Sequence, residues 1–166
     1  ADPAIAGDIA FTPGVVEATR RALASGANIL CDSSMTATGI IRSRLTEGVQ
    51  VICHIKEPRL AELAKRNDTT KTCAAVDLWA AEDHLDGAVV AIGNAPTALF
   101  RLLELLDEGI AAPAAIVGVP VGFVGAAESK QALAARHDIP WMIAEGRLGG
   151  SAMAVAAVNA LASEAE

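Results

Sequence analysis

The run Ala88-Val89-Val90-Ala91-Ile92-Gly93, leading straight into Asn94-Ala95-Pro96-Thr97-Ala98-Leu99-Phe100-Arg101-Leu102-Leu103, decides the fold class. Its first half is a short, continuous apolar stretch, the pattern of a strand buried on both faces. Its second half opens on Pro96, which suits a first helical turn. Leu99, Leu102, Leu103 and Leu106 then share one helical face until Gly109 closes it. A buried strand feeding a helix through a short loop is the repeating unit of a parallel α/β sheet.

The same unit recurs on both sides of this stretch. Asn28 to Asp32 reads as a first strand and Val49 to Ile55 as a second, with Pro113 to Val119 as the fourth and Trp141 to Ala144 as the fifth. Helices are expected from Pro13 to Gly26, around Leu60, Leu63 and Ala64, and over 74–81, 96–109, 126–136 and 151–162, with a short helix or turn across Met35 to Leu45. Asp68-Thr69-Thr70 supplies a cap. Five parallel strands with right-handed crossovers give a three-layer α/β fold of flavodoxin-like type, strand order 2-1-3-4-5, in one domain over residues 1–166. No repeat, linker or low-complexity segment interrupts it.

Composition narrows the function classes. The chain has 166 residues, 52% of them hydrophobic but only 3% aromatic, with no tyrosine. Such a length can bury roughly 70% of the unfolded chain's surface without disulfide or metal. A net charge of −7 argues against a phosphate-backbone binder, and scarce aromatics weaken base stacking, so no nucleic-acid partner is expected. No apolar run approaches the roughly 20 residues of a membrane span. Cys31, Cys53 and Cys73 lack CxxC spacing and read as buried free thiols of a reducing cytoplasm.

In an open parallel sheet the ligand lies beyond the carboxyl ends of the strands. The loops expected there are Asp32-Ser33-Ser34-Met35-Thr36, Asn94-Ala95-Pro96-Thr97, Val121 to Lys130, and Glu145 to Ser151. Gly122 and Gly125 would let backbone approach a large flat ligand, and helices starting after Gly125 and Gly150 would aim free N–H groups at anions. Arg147 and Lys130 add cations for ligand carboxylates. The same glycines would equally make tight turns, and Asp32 suits either function or helix capping. His54 reads as a core or rim histidine, and His84 and His137 as solvated. No spacing matches a metal set, a serine triad, a phosphate loop or the dinucleotide fingerprint.

Three segments carry a closer likeness: 93–103, Pro120-Val121-Gly122-Phe123-Val124-Gly125-Ala126-Ala127-Glu128-Ser129-Lys130, and Gly146-Arg147-Leu148-Gly149-Gly150-Ser151-Ala152-Met153. With 26–35, Gly39-Ile40, Arg42, Arg44-Leu45, Val51-Ile52-Cys53, Pro58-Arg59 and Thr69-Thr70-Lys71-Thr72, the chain resembles the precorrin-8X methylmutase family from Phe11 nearly to its end. The resemblance implies a cobalamin-biosynthesis isomerase without a separate cofactor, moving a methyl group from C-11 to C-12 of precorrin-8 to give hydrogenobyrinate. It also implies a homodimer with the tetrapyrrole near the subunit interface. Carried onto this sequence, the substrate-binding positions are Asp32, Ser33, Ser34, Met35, Arg42, Thr70, Lys71, Asn94, Thr97, Gly122, Gly125, Ser129, Lys130, Arg147, Gly149, Gly150 and Ser151. Lys71-Thr72 stands where the family tends to have Arg-Ser, keeping the cation but not the bidentate fork.

The family's catalytic histidine lies in a His-x-Cys-Gly-like segment ahead of Phe-(Ser/Thr)-Pro. The ten residues before Phe11-Thr12-Pro13 hold no such segment, and none of His54, His84 or His137 matches it. No catalytic residue is assigned, and the sequence as it stands is expected to bind ligand while shifting the methyl group poorly. A second reading is a catalytically silent corrinoid-binding module. A third is an unrelated domain binding a nucleotide or flavin.

Overall fold

The computed structural model describes residues 3–162. After a 3₁₀ turn at Pro3–Asp8 come β1 (Ile9–Phe11), α1 (Val15–Ala24), β2 (Ile29–Cys31), α2 (Ser34–Gly39), a second 3₁₀ turn at Arg42–Arg44, β3 (Val51–Ile52) and α3 (Pro58–Arg66). They are followed by α4 (Lys71–Ala81), β4 (Val89–Ile92), α5 (Pro96–Asp107), β5 (Ala115–Gly118), α6 (Ala126–Ala134), β6 (Trp141–Ala144) and α7 (Ser151–Leu161).

One mixed sheet of six strands runs in the order β1-β6-β5-β4-β2-β3. All neighbours pair in parallel except β1, which is antiparallel to β6 with Ile9 opposite Ala144 and Phe11 opposite Met142. This corrects the expectation of a purely parallel, five-stranded sheet. Ile9-Ala10-Phe11 is too short to show an alternation, and its strand character comes from the backbone edge that β6 offers.

Side chains alternate across the parallel strands. Ile29, Cys31, Val89, Ala91 and Val117 share one cluster with Ala22 and Leu23 of α1 and Ala154 and Val158 of α7. Leu30, Val90, Ile92 and Ile116 join Val76 and Trp79 of α4, Leu99 and Leu102 of α5, and Leu133 of α6. Apolar residues therefore line both faces, as continuous apolar runs require. The leucine face expected on α5 is buried throughout.

The periodicity overreached at the second strand. The second expected strand shrinks from 49–55 to Val51–Ile52, because the chain turns away at His54, whose carbonyl accepts from the Glu57 N–H at 2.8 Å. Across 35–45, where a short helix or turn is expected, a short helix ends at Gly39 and a 3₁₀ turn follows at Arg42–Arg44. Asn159 of α7 draws the chain aside there, its Oδ1 accepting from the Ile41 N–H at 2.9 Å and its Nδ2 donating to the Gly39 carbonyl at 3.1 Å.

Candidate active site

Four loops meet beyond the C-terminal ends of β2, β4, β5 and β6, and the first of them organises the rest. The Asp32 carboxylate is buried and accepts three backbone N–H bonds, from Gly93 at 3.0 Å, Asn94 at 2.9 Å and Ala95 at 2.7 Å. Burial pushes its carboxyl above the ordinary value, while those donors pull it back down. Between the two readings left open for Asp32, the geometry shows a clamp on the loop after β4.

Ser33 caps α2, its Oγ accepting from the Thr36 N–H at 3.1 Å, and it also meets the Ser151 hydroxyl at 2.8 Å. The starts of α2 and α7 are thereby joined. The Gly150 N–H donates to the Val119 carbonyl at 2.9 Å, and a Cβ on Gly149 would fall 2.2 Å from that oxygen. A Cβ on Gly93 would lie 2.8 Å from the Ser151 Cα. Glycine at 93 and 149 is what lets these loops touch.

At the other side of the loop cluster, Thr70 caps α4 through the Cys73 N–H at 3.1 Å. Its hydroxyl also lies 3.3 Å from that of Thr97, which is 3.0 Å from the Thr72 hydroxyl. Lys71 and Asn94 are exposed beside this hydroxyl cluster. Arg42 is exposed and donates to the Ala37 carbonyl at 3.4 Å.

Helix starts differ in a way that bears on chemistry. α2 and α4 are capped by their own side chains, whereas α5, α6 and α7 begin after Ala95, Gly125 and Gly150 with no side-chain cap. The first-turn N–H groups of α6 and α7 are available to an anionic ligand, while in α5 Pro96 has no N–H and that of Ala98 donates to the Ala95 carbonyl at 3.1 Å. Around them stand exposed apolar side chains, Phe123 at 85% and Val124 at 87% exposure, with Met35, Val121 and Leu148. The Arg147 guanidinium lies over the Phe123 ring, 5.7 Å from its centroid. Ser34 and Met35 border an apolar groove of about 540 Å³ whose other walls include Gly39, Ala152 and Val155.

Two expected ligand residues are turned inward. Ser129 Oγ is buried and donates to the Ala126 carbonyl at 3.1 Å. Lys130 is 1% exposed, and its Nζ donates to the Leu148 carbonyl at 2.5 Å, tying α6 to the loop after β6. Lys130 lies four residues after buried Ala126 and three before buried Leu133, on the helix face turned toward the sheet, so its charge serves the loop and not the solvent-facing cleft. Burial lowers its pKa. Of the cysteines only Cys31 is fully buried, and its thiol is pushed well up; Cys53 and Cys73 are half-buried, which corrects the expectation for those two.

The histidines also depart from expectation. His84 is half-buried and stacks on His54 with centroids 6.0 Å apart, while His137 is exposed as expected. His54, Glu82 and His84 converge, a grouping hidden from linear spacing because the first comes from the end of β3 and the others from the end of α4.

An open α/β sheet with gathered loops beyond its strand ends belongs to the class of α/β proteins that bind small molecules there. The particular family follows from comparison with known proteins. Residues 1–164 match the family described as CbiC, precorrin-8X methylmutase. The chain is 55% identical over 160 residues to the precorrin-8X methylmutase of Pseudomonas aeruginosa, covering 96% of this chain and 76% of that protein. It is 45% identical over 161 residues to the cobalt-precorrin-8 methylmutase of Methanothermobacter thermautotrophicus, covering 97% and 73%. The crystal structure of the precorrin-8X methylmutase from Thermus thermophilus superposes with a TM-score of 0.87 at 40% identity, covering 97% of this chain and 77% of that one. The chain belongs to the precorrin-8X methylmutase family.

Proposed function

We propose that this chain acts in cobalamin biosynthesis as the isomerase that moves the C-11 methyl group of precorrin-8 to C-12, giving hydrogenobyrinate. The observation that carries this reading is the 55% identity to the Pseudomonas aeruginosa enzyme across nearly the whole chain. The geometry supports it independently of that name. A flat macrocycle bearing carboxylate arms needs an apolar bed, which Phe123, Val124, Leu148 and Met35 supply, and donors at its rim. The uncapped starts of α6 and α7, together with Lys71, Arg42 and Arg147, are suited to those arms.

The residues of this chain bind and orient. Asp32 holds the Asn94–Thr97 loop, Ser33 and Ser151 align two helix starts, and the Thr70–Thr72–Thr97 hydroxyls present polar hydrogens beside Lys71. The exposed Phe123 and Val124 support a homodimer in which a partner covers the open side of the substrate. The strands that pair in parallel, in the order β3-β2-β4-β5-β6, support a flavodoxin-like core with one added edge strand in a single domain. Free thiols support a cytoplasmic setting. Among the described residues no helix is long and apolar enough to cross a membrane.

The test is to mix the chain with precorrin-8 and follow the absorption spectrum, with hydrogenobyrinate titrated in parallel and oligomeric state read by light scattering. Conversion together with saturable product binding is expected. Binding without conversion assigns the chain as a corrinoid-binding module, and neither binding nor conversion overturns the reading.

A further inference from the structure

The cluster at the exit of β3 has the properties of a metal site. His54 is 5% exposed, and its Nδ1 faces the Glu57 carboxylate, an acceptor for a proton on that nitrogen. The other nitrogen, Nε2, is buried and makes no hydrogen bond. It points at Glu82 Oε2, 3.6 Å away, and the same oxygen lies 3.3 Å from His84 Nε2. One donor atom each from His54, Glu82 and His84 all lie within 4.8 Å of one another. Donors held around a four-coordinate zinc ion stand about 3.3–3.5 Å apart, so small rotations of the partly exposed Glu82 and His84 would bring all three onto one ion.

Supporting contacts prepare the donors. A carboxylate on the far nitrogen of a ligating histidine fixes the tautomer and ring orientation, which is how Glu57 holds His54. Arg59 donates to Glu57 Oε2 at 2.6 Å and to Glu82 Oε1 at 2.5 Å. It thereby occupies one oxygen of Glu82, leaves Oε2 facing the imidazoles, and holds that carboxyl below the usual range. Nε2 of His54 is thus a buried nitrogen with no hydrogen-bond partner, aimed at a carboxylate oxygen 3.6 Å away.

From this arrangement we infer that His54, Glu82 and His84 bind one divalent transition-metal ion of the zinc class. Two imidazoles and one carboxylate suit zinc, nickel or copper and not magnesium or calcium, which take oxygen sets. A fourth position is left for water. Glu82 caps the end of α4, about 18 Å along the axis from Thr70 at its start beside Thr97. An ion there would join the turn after β3 to the end of α4, bracing the edge of the sheet. The inference stands on its own residues and does not depend on the proposed catalytic role.

The test is calorimetric titration of zinc chloride into the untagged, chelator-treated chain, with thermal unfolding read alongside. One ion should bind per chain with Kd on the order of 1 μM or below, and a hundredfold excess over Kd should raise Tm by on the order of 5 °C. Magnesium should do neither. His84→Ala, at a partly exposed position the fold tolerates, should weaken binding about 100-fold or more, and Glu57→Gln about 10–100-fold. Cys53→Ser should leave it unchanged. Absence of stoichiometric binding overturns the site, as does binding that survives His84→Ala or is abolished by Cys53→Ser.

Discussion

The carboxylate of Asp32 accepts the backbone N–H of Ala95 at 2.7 Å, and this bond joins the end of β2 to the start of α5 across the floor of the cleft. Two further N–H groups, of Gly93 and Asn94, converge on the same side chain. Asp32 thus shapes the loop after β4 from beneath.

Asp32→Asn should therefore act first on stability. The amide keeps the shape but offers one acceptor oxygen and sets an NH₂ against backbone donors, so the expected loss is about 2–4 kcal/mol. Urea unfolding measures it. A change below about 0.5 kcal/mol, the range of an ordinary surface substitution, would show that the loop holds itself.

Gly149→Ala should be among the most damaging single-methyl additions, because the new Cβ would meet the Val119 and Pro120 carbonyls at 2.2 and 2.6 Å. Backbone cannot yield cheaply there, and the expected cost exceeds about 2 kcal/mol. Gly7→Ala, with nothing within 4 Å, is the matched control and should stay within about 0.5 kcal/mol. Equal urea midpoints for the two variants would contradict the close approach.

Lys130 predicts a pH dependence of defined sign. Its folded pKa lies below its unfolded one because burial disfavours the ammonium. Between the two values the unfolded chain binds more protons, so stability rises with pH through that window and is lost as pH falls through the folded value. Lys130→Met removes this slope. Comparing urea midpoints of the two chains from neutral pH to about 10.4, wild type should gain on the variant as pH increases. A gap constant over that range would mean the amine is well solvated.

Arg147 and Lys71 are expected to meet ligand carboxylates. Replacing either by alanine should weaken hydrogenobyrinate binding by about 1.5–3 kcal/mol, roughly 10- to 100-fold, with little effect on unfolding. Fluorescence or absorption titration reads the affinity. Unchanged affinity in both variants would place the acid arms elsewhere on the loop cluster.

By itself the sequence determined the units that local physics controls. Continuous apolar runs marked the buried strands, Pro96 and the leucine spacing marked α5, and glycine-rich junctions marked the loops that gather beyond the strand ends. Long motifs then carried the family. Tertiary structure alone decided what depends on partners distant in the chain. The edge strand Ile9–Phe11 exists because β6 offers an open row of backbone groups, and α2 ends where Asn159 takes the Ile41 N–H. Lys130 turned out to be an internal strut because its reach to the Leu148 carbonyl is a distance in space, which no spacing encodes. The convergence of His54 with Glu82 and His84 has the same origin: a strand exit and a helix end 28 residues apart in the chain become neighbours only in the folded molecule.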